Sequence, residues 1–205
     1  MLLSPFAVIA LGHGTARLAG PAFGAWAWVP VTLVLWACFA ACIALGAGGE
    51  SARRWLRTPG GGLRWLAIAL AVGLIPLPIL LSNYALLDSP LAVLLWLAFA
   101  AINPFFEEGY WRGVLLDSTA SWPAWASILF ASSLFALNHP LTFGVISLAN
   151  AHPATLVSTF IMGVGWAVVY RRTGSLRWPI LAHVGTDLCN LAVLAMMNIY
   201  LPVRG

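Results

Sequence analysis

The sequence predicts an all-α fold, a polytopic membrane protein built as a bundle of about six to eight helical spans. Hydrophobic residues fill 61% of its 205 positions, and the mean hydropathy is +0.92. Only 8% of residues are Asp, Glu, Lys or Arg, whereas a water-soluble domain carries about 25%. We therefore expect a single integral-membrane domain over residues 1–205, with any active site inside the bundle.

The first half of the chain contains two clear apolar segments and an ambiguous one. Residues 2–20 are apolar but interrupted by Gly, His and Arg, which suits an interfacial helix or a short spanning helix. Spans are predicted at about 25–45 and 65–87. The second of these should kink near Pro76 and Pro78, because proline removes an amide from the helical ladder.

The second half begins with an apolar segment at 91–102 that stops at Asn103-Pro104. Asn is favoured as an N-cap and Pro at the first helical position, so a new helix is predicted there, with Glu107 in its first turn. Further apolar segments follow at 124–137, 141–151 (short, a candidate re-entrant segment), 154–170 and 178–200.

The basic residues are distributed as the positive-inside rule requires. All ten are Arg, and seven of them lie in two loops, 53–64 and 171–177. Four predicted crossings separate these loops, so both can lie in the cytoplasm. We expect a multi-pass protein of a cell membrane, such as the bacterial inner membrane, whose arginines fix its orientation in the lipid bilayer and bind no nucleic acid.

The stretch from Glu107 to Arg112 holds three charged residues in a chain that otherwise avoids charge. A charge in bilayer hydrocarbon costs about 2.5–3.5 kcal/mol on insertion scales, so such residues pair or carry function. Glu108 and Arg112 are four positions apart and can form an ion pair on one helix face. Glu107 points about 100° away and has no basic residue three or four positions from it. Glu108 is thus predicted to be structural, and Glu107 is a candidate general base.

Two later segments carry polar residues at the same helical spacing. Phe135 and His139 share one helix face, with Asn138 beside them, and His183 shares another with Asp187. Three helices would then supply a carboxylate, an imidazole and an imidazole–carboxylate pair, a set that can hold and activate one water molecule. The alternative is that these groups only bond neighbouring helices together.

These motifs resemble a known family. Glu-Glu-x-x-x-Arg at 107–112, Phe-x-x-x-His at 135–139 and His-x-x-x-Asp at 183–187 are similar to the motifs of the CAAX-protease and bacteriocin-processing (CPBP, or Abi) intramembrane endopeptidases. The resemblance covers about residues 90–195. It implies hydrolysis of a membrane-anchored peptide or protein, whether a prenylated tail, a leader peptide or a C-terminal sorting helix.

The resemblance also implies roles for individual residues. Glu107 would activate water, His139 would help to hold it, and His183 with Asp187 would stabilise the oxyanion. Residues implied or expected to shape the site are Glu108, Arg112, Phe135 and Asn138.

Asp187 departs from the family, which often has Asn at this position. An ionised Asp accepts hydrogen bonds but cannot donate one, so Asp187 must be protonated, orient His183 or bind a cation. The four residues Glu107, His139, His183 and Asp187 also resemble a zinc ligand set. We expect Glu107 to activate water with no cofactor required, and a divalent metal such as zinc is the alternative.

Two functions of other classes compete with the peptidase. A small transporter or proton-relay protein would pass ions along Glu107, His139 and Asp187, but it should have further polar residues leading to both membrane faces, and the chain has few. A non-catalytic, bacteriocin-immunity-type membrane protein would keep the fold without needing the complete motif set.

Overall fold

The computed structural model describes residues 1–201 and confirms the helical class, with no strand within that range. Short 3-10 helices occupy Gly24–Trp26, Tyr84–Leu86 and Phe143–Val145, and a π-helix occupies Gly109–Val114. The α-helices are α1 (Ser4–Phe23), α2 (Trp28–Gly46), α3 (Gly49–Trp55), α4 (Leu63–Gly73), α5 (Leu77–Asn83), α6 (Pro90–Glu108), α7 (Leu115–Ser118), α8 (Ala124–Leu141), α9 (Leu148–Ala151), α10 (Pro153–Thr173), α11 (Arg177–Cys189) and α12 (Ala192–Met196).

Four stretches of these helices are long and apolar enough to cross a membrane, which makes this a multi-pass membrane protein. They are Trp28–Gly46, Pro90–Ser118, Ala124–Val145 and Pro153–Thr173. The bent pair Leu63–Gly73 and Leu77–Leu86 makes a fifth if the two helices form one span, and its 53° bend confirms the predicted kink. The count falls below six to eight because α11 has only 13 residues and the polar residues of α1 lower its hydropathy. Residues 2–20, ambiguous in the sequence, lie mostly within α1, which packs along α2.

The prediction that a new helix begins at Asn103-Pro104 is wrong. α6 continues through both residues to Glu108 and runs on into the π-helix. The Asn103 side chain cannot cap a helix, because it bonds to side chains of two other helices. Glu107 consequently lies at the C-terminal end of α6 and not in the first turn of a new helix.

The prediction of one continuous last span over 178–200 is also wrong. α11 ends at Cys189, Leu191 adopts a left-handed conformation (φ 51°), and α12 begins at Ala192. No Gly or Pro marks this break in the sequence. His183 and Asp187 both precede it, so their predicted placement on one helix holds.

The two arginine-rich loops lie at the same end of the bundle, as the predicted orientation requires. The Ser175 hydroxyl donates to the carbonyls of Trp55 (3.1 Å) and Arg57 (2.7 Å), and Arg54 pairs with Asp117. We call this end the arginine face; its arginines are Arg53, Arg54, Arg57, Arg64, Arg171, Arg172 and Arg177. The loops at the other end, 24–27, 84–89 and 142–152, contain one charged residue, Asp88.

Gly73 lets α4 and α11 approach closely, and a substitution tests that contact. A Cβ at Gly73 would lie 2.8 Å from the Ala182 carbonyl oxygen and 3.1 Å from the Ala182 Cβ. Gly73→Ala should therefore lower the free energy of unfolding by about 1–3 kcal/mol, measured in detergent. The matched control is Gly14→Ala in α1, where a Cβ meets nothing within 4 Å and the helix should gain slightly. Equal stabilities for the two variants would contradict the close packing.

Candidate active site

The four residues predicted to be catalytic line one cavity of about 330 Å³ inside the bundle. Glu107 comes from α6, His139 from α8, and His183 and Asp187 from α11. The structure therefore brings together the groups that the sequence places on three separate helices.

His183 is held by the carboxylate of Glu108. Its Nδ1 lies 2.8 Å from Glu108 Oε1, which also accepts from Arg112 Nη1 at 2.8 Å. An ionised carboxylate only accepts hydrogen bonds, so Nδ1 carries a proton and donates. The other ring nitrogen, Nε2, lies 3.9 Å from Glu107 Oε2 and 3.7 Å from Asp187 Oδ1. The predicted Glu108–Arg112 pair is confirmed, and Glu108 has a second contact that the sequence did not indicate.

Aromatic rings fix both the imidazole and the guanidinium. Trp166 stacks on His183 with ring centroids 4.8 Å apart, and its Nε1 donates to the Ala69 carbonyl at 3.1 Å. The Arg112 guanidinium lies 4.0 Å from the centre of the Phe135 ring, a cation–π geometry. These contacts leave His183 and Arg112 little freedom to reorient.

Glu107 is buried, and one of its carboxylate oxygens makes no hydrogen bond among the described residues. Its side chain is 3% exposed, and Oε2 has no hydrogen-bond partner within residues 1–201. Burying a polar atom without a partner is costly. The cost is offset when the atom contacts water or a ligand in the cavity, so this oxygen is placed to receive a proton.

His139 lies beside the same cavity and is separated from His183 by Phe135. His139 Nδ1 lies 3.0 Å from the Phe135 carbonyl, which can only accept, so Nδ1 donates and Nε2 is free to accept. The Phe135 ring lies 5.0 Å from the ring of His139 and 6.3 Å from that of His183. Phe135 thus spaces the two imidazoles.

Asn138 lies outside the cavity lining. It is fully buried, and neither polar atom of its side chain has a hydrogen-bond partner among the described residues. A role for Asn138 in shaping the cavity therefore stays a prediction, and the structure shows no side-chain hydrogen bond of Asn138 within residues 1–201 that would support it.

Asn103 is the site residue that the sequence analysis missed, because its place before Pro104 indicated a helix cap. Its Nδ2 donates to Asp187 Oδ2 at 3.1 Å, and its Oδ1 accepts from Trp36 Nε1 at 2.9 Å. Asp187 is thereby positioned by Asn103, while His183 takes its orientation from Glu108. An amide within an otherwise apolar segment was the available signal.

The candidate metal ligands do not form a recognisable metal centre. Within residues 1–201, no group of three or more His, Cys, Asp or Glu side chains is arranged to hold a metal ion. The three cysteines in that range, Cys38, Cys42 and Cys189, are free thiols.

Comparison with known families gives one match. Residues 89–189 match the Rce1-like family of type II CAAX prenyl endopeptidases. The matched segment begins at Ser89, the N-cap of α6, and ends with the last residue of α11. It contains Glu107, His139, His183 and Asp187, the four residues predicted to be catalytic. No curated protein and no solved structure gave a significant match.

Proposed function

Through residues 89–189 the chain belongs to the Rce1-like type II CAAX prenyl endopeptidases, and we propose that it hydrolyses peptide bonds with water that Glu107 activates. The family makes the chain an intramembrane peptidase. We propose further that Glu107 activates the water and that the protein lies in a bacterial inner membrane. The substrate is a membrane-anchored peptide or protein.

The observation that carries the mechanism is Oε2 of Glu107, which makes no hydrogen bond within residues 1–201 and lies 3.9 Å from Nε2 of His183 in the cavity. In the proposed reaction, Glu107 takes a proton from water while the water oxygen bonds to the scissile carbonyl carbon. Glu107 then passes this proton to the leaving amine as the C–N bond breaks. The products are a carboxyl group and an amine.

The two histidines have different tasks in this reaction. His183 Nε2 donates to the oxyanion that forms on the scissile carbonyl. It does so as the imidazolium, because the proton on Nδ1 is already engaged by Glu108. His139 accepts a hydrogen bond from the attacking water through Nε2, since its Nδ1 donates to a backbone carbonyl.

The test uses the full chain in liposomes with a membrane-anchored peptide. We expect peptide cleavage, detected by mass spectrometry, that chelators such as EDTA or phenanthroline do not inhibit. Loss of cleavage on chelation and recovery with zinc would favour the metal-dependent alternative. Proton flux without cleavage would favour the relay protein instead.

Asp187→Asn should retain activity within about tenfold of the wild type, judged by cleavage rate. The amide oxygen can still accept from Asn103, and the amide N–H can donate to an oxyanion. Asp187→Ala, the control, loses both functions and should be slower than Asp187→Asn. If both variants are equally inactive, the carboxylate itself is required, as it would be for binding a cation.

A further inference from the structure

The cavity extends from the active site toward one end of the bundle only. Its lining at the arginine-face side stops at Trp166 and His183, and none of the arginine-face loops contributes to it. At the other side the lining reaches Asn150, His152 and Tyr200, where α9 meets α10. The cavity therefore opens away from the arginine face.

Distances measured along the helices also indicate that the cavity opens away from the arginine face. At 1.5 Å per residue, His183 lies about 9 Å and Asp187 about 15 Å from Arg177 at the arginine face. In α10, Thr155 lies about 27 Å from Thr173, which is close to the whole thickness of the bilayer hydrocarbon. The catalytic groups are thus at middle depth, and the rest of the cavity lies beyond them.

The protein between the site and the arginine face is closely packed. Trp111 and Leu115 are fully buried there. Closer to the arginine face, Asp117 accepts hydrogen bonds from the Tyr170 hydroxyl (2.7 Å) and Trp55 Nε1 (3.0 Å), and it also pairs with Arg54. This packing closes the direct route from the arginine face to Glu107.

We infer that the substrate reaches Glu107 from the membrane face opposite the arginine loops, which is the extracytoplasmic face under the positive-inside rule. This inference rests on the proposed peptidase function and specifies its substrate class. The substrate is a membrane-anchored polypeptide that presents its cleavage site on the outer side of the membrane, unlike a tail displayed in the cytoplasm.

The outer part of the cavity has walls that fit such a segment. The lining includes polar, uncharged residues, and among them Asn190 contributes an Oδ1 that is buried without a partner among the described residues. Such groups can bond the backbone of an extended peptide. The polar residues of this kind in the lining are Asn150, Thr155, Ser158, Thr159 and Asn190.

The break between α4 and α5 adds apolar residues to the lining, namely Ile75, Pro76, Pro78 and Ile79. Apart from Glu107 and Asp187, the lining contains no Asp, Glu, Lys or Arg. The segment that binds here is therefore expected to carry neutral side chains.

Cysteine labelling tests the direction of access without needing catalysis. In a background with Cys38, Cys42 and Cys189 replaced by Ala, Ser158→Cys reports on the cavity and Thr58→Cys on an exposed arginine-face loop. A membrane-impermeant maleimide should label Ser158→Cys only in right-side-out vesicles and Thr58→Cys only in inverted ones. His152→Cys, at the exposed cavity mouth, repeats the test if Ser158→Cys folds poorly. Labelling of both reporters from the same side would overturn the inference.

A cleavage assay separates this inference from the proposed function. Peptides anchored in right-side-out or inverted vesicles present their cleavage sites on one side only. We expect cleavage of sites on the outer side, blocked by maleimide at Ser158→Cys. Cleavage confined to sites on the arginine-face side would overturn the inference and leave the peptidase intact. Expected labelling without cleavage on either side would uphold the cavity direction and refute the peptidase.

Discussion

Replacing Glu107 by Gln is expected to abolish peptide cleavage while the protein stays folded. Gln has nearly the same shape, but its amide cannot take a proton from water. A general base contributes about 10²–10⁴-fold to a reaction rate. The cleavage rate in liposomes should therefore fall by at least about 100-fold. Because Oε2 of Glu107 makes no hydrogen bond within residues 1–201, the substitution removes no hydrogen bond at that oxygen.

The control for this variant is Glu50→Gln, which removes an exposed carboxylate on α3 far from the cavity. It should cleave at the wild-type rate, and thermal unfolding in detergent should be similar for all three proteins. A Glu107→Gln protein that cleaves at the wild-type rate would show that another group activates the water.

Glu108→Ala should produce the largest loss of stability, about 3–5 kcal/mol, because it leaves a buried charge uncompensated. Arg112 is 2% exposed and would lose its carboxylate partner, and Nδ1 of His183 would lose its acceptor. The free energy of unfolding in detergent measures this effect. A Glu108→Ala protein as stable as the wild type would show that the pair is not needed to hold the bundle together.

A double variant separates the stability of the pair from its role at the site. Replacing a buried ion pair by apolar residues of similar volume is often neutral or stabilising, so Glu108→Leu combined with Arg112→Met should recover much of the lost stability. Cleavage should remain low, since His183 still lacks the acceptor that fixes its orientation. Full activity in the double variant would mean that Glu108 does not position His183.

Local spacing predicted the contacts that lie within one helix. Glu108 and Arg112 are four residues apart, so helix geometry alone places them together, as the structure confirms. The contact of Glu108 with His183 spans 75 positions. It depends on the rotation of α6 relative to α11, which no local pattern encodes.

Two tertiary effects also overrode local signals. Asn103-Pro104 has the composition of a helix start, but the bonds from Asn103 to Trp36 and Asp187 are made within a continuous helix. The last predicted span is broken at Leu191, which adopts a positive φ although the sequence has neither Gly nor Pro at the break. The direction of the cavity likewise emerges only once the lining residues of several helices are placed together.

The most direct test of water activation by Glu107 is the identity of the product that bears the new carboxyl terminus. The anchored peptide would be cleaved in ¹⁸O-labelled water with hydroxylamine present, and the products examined by mass spectrometry. Direct attack by water predicts a carboxyl group with one ¹⁸O atom from a single cleavage and no hydroxamate. A hydroxamate that accumulates in proportion to hydroxylamine would reveal a covalent acyl intermediate and contradict the role of Glu107 as a base.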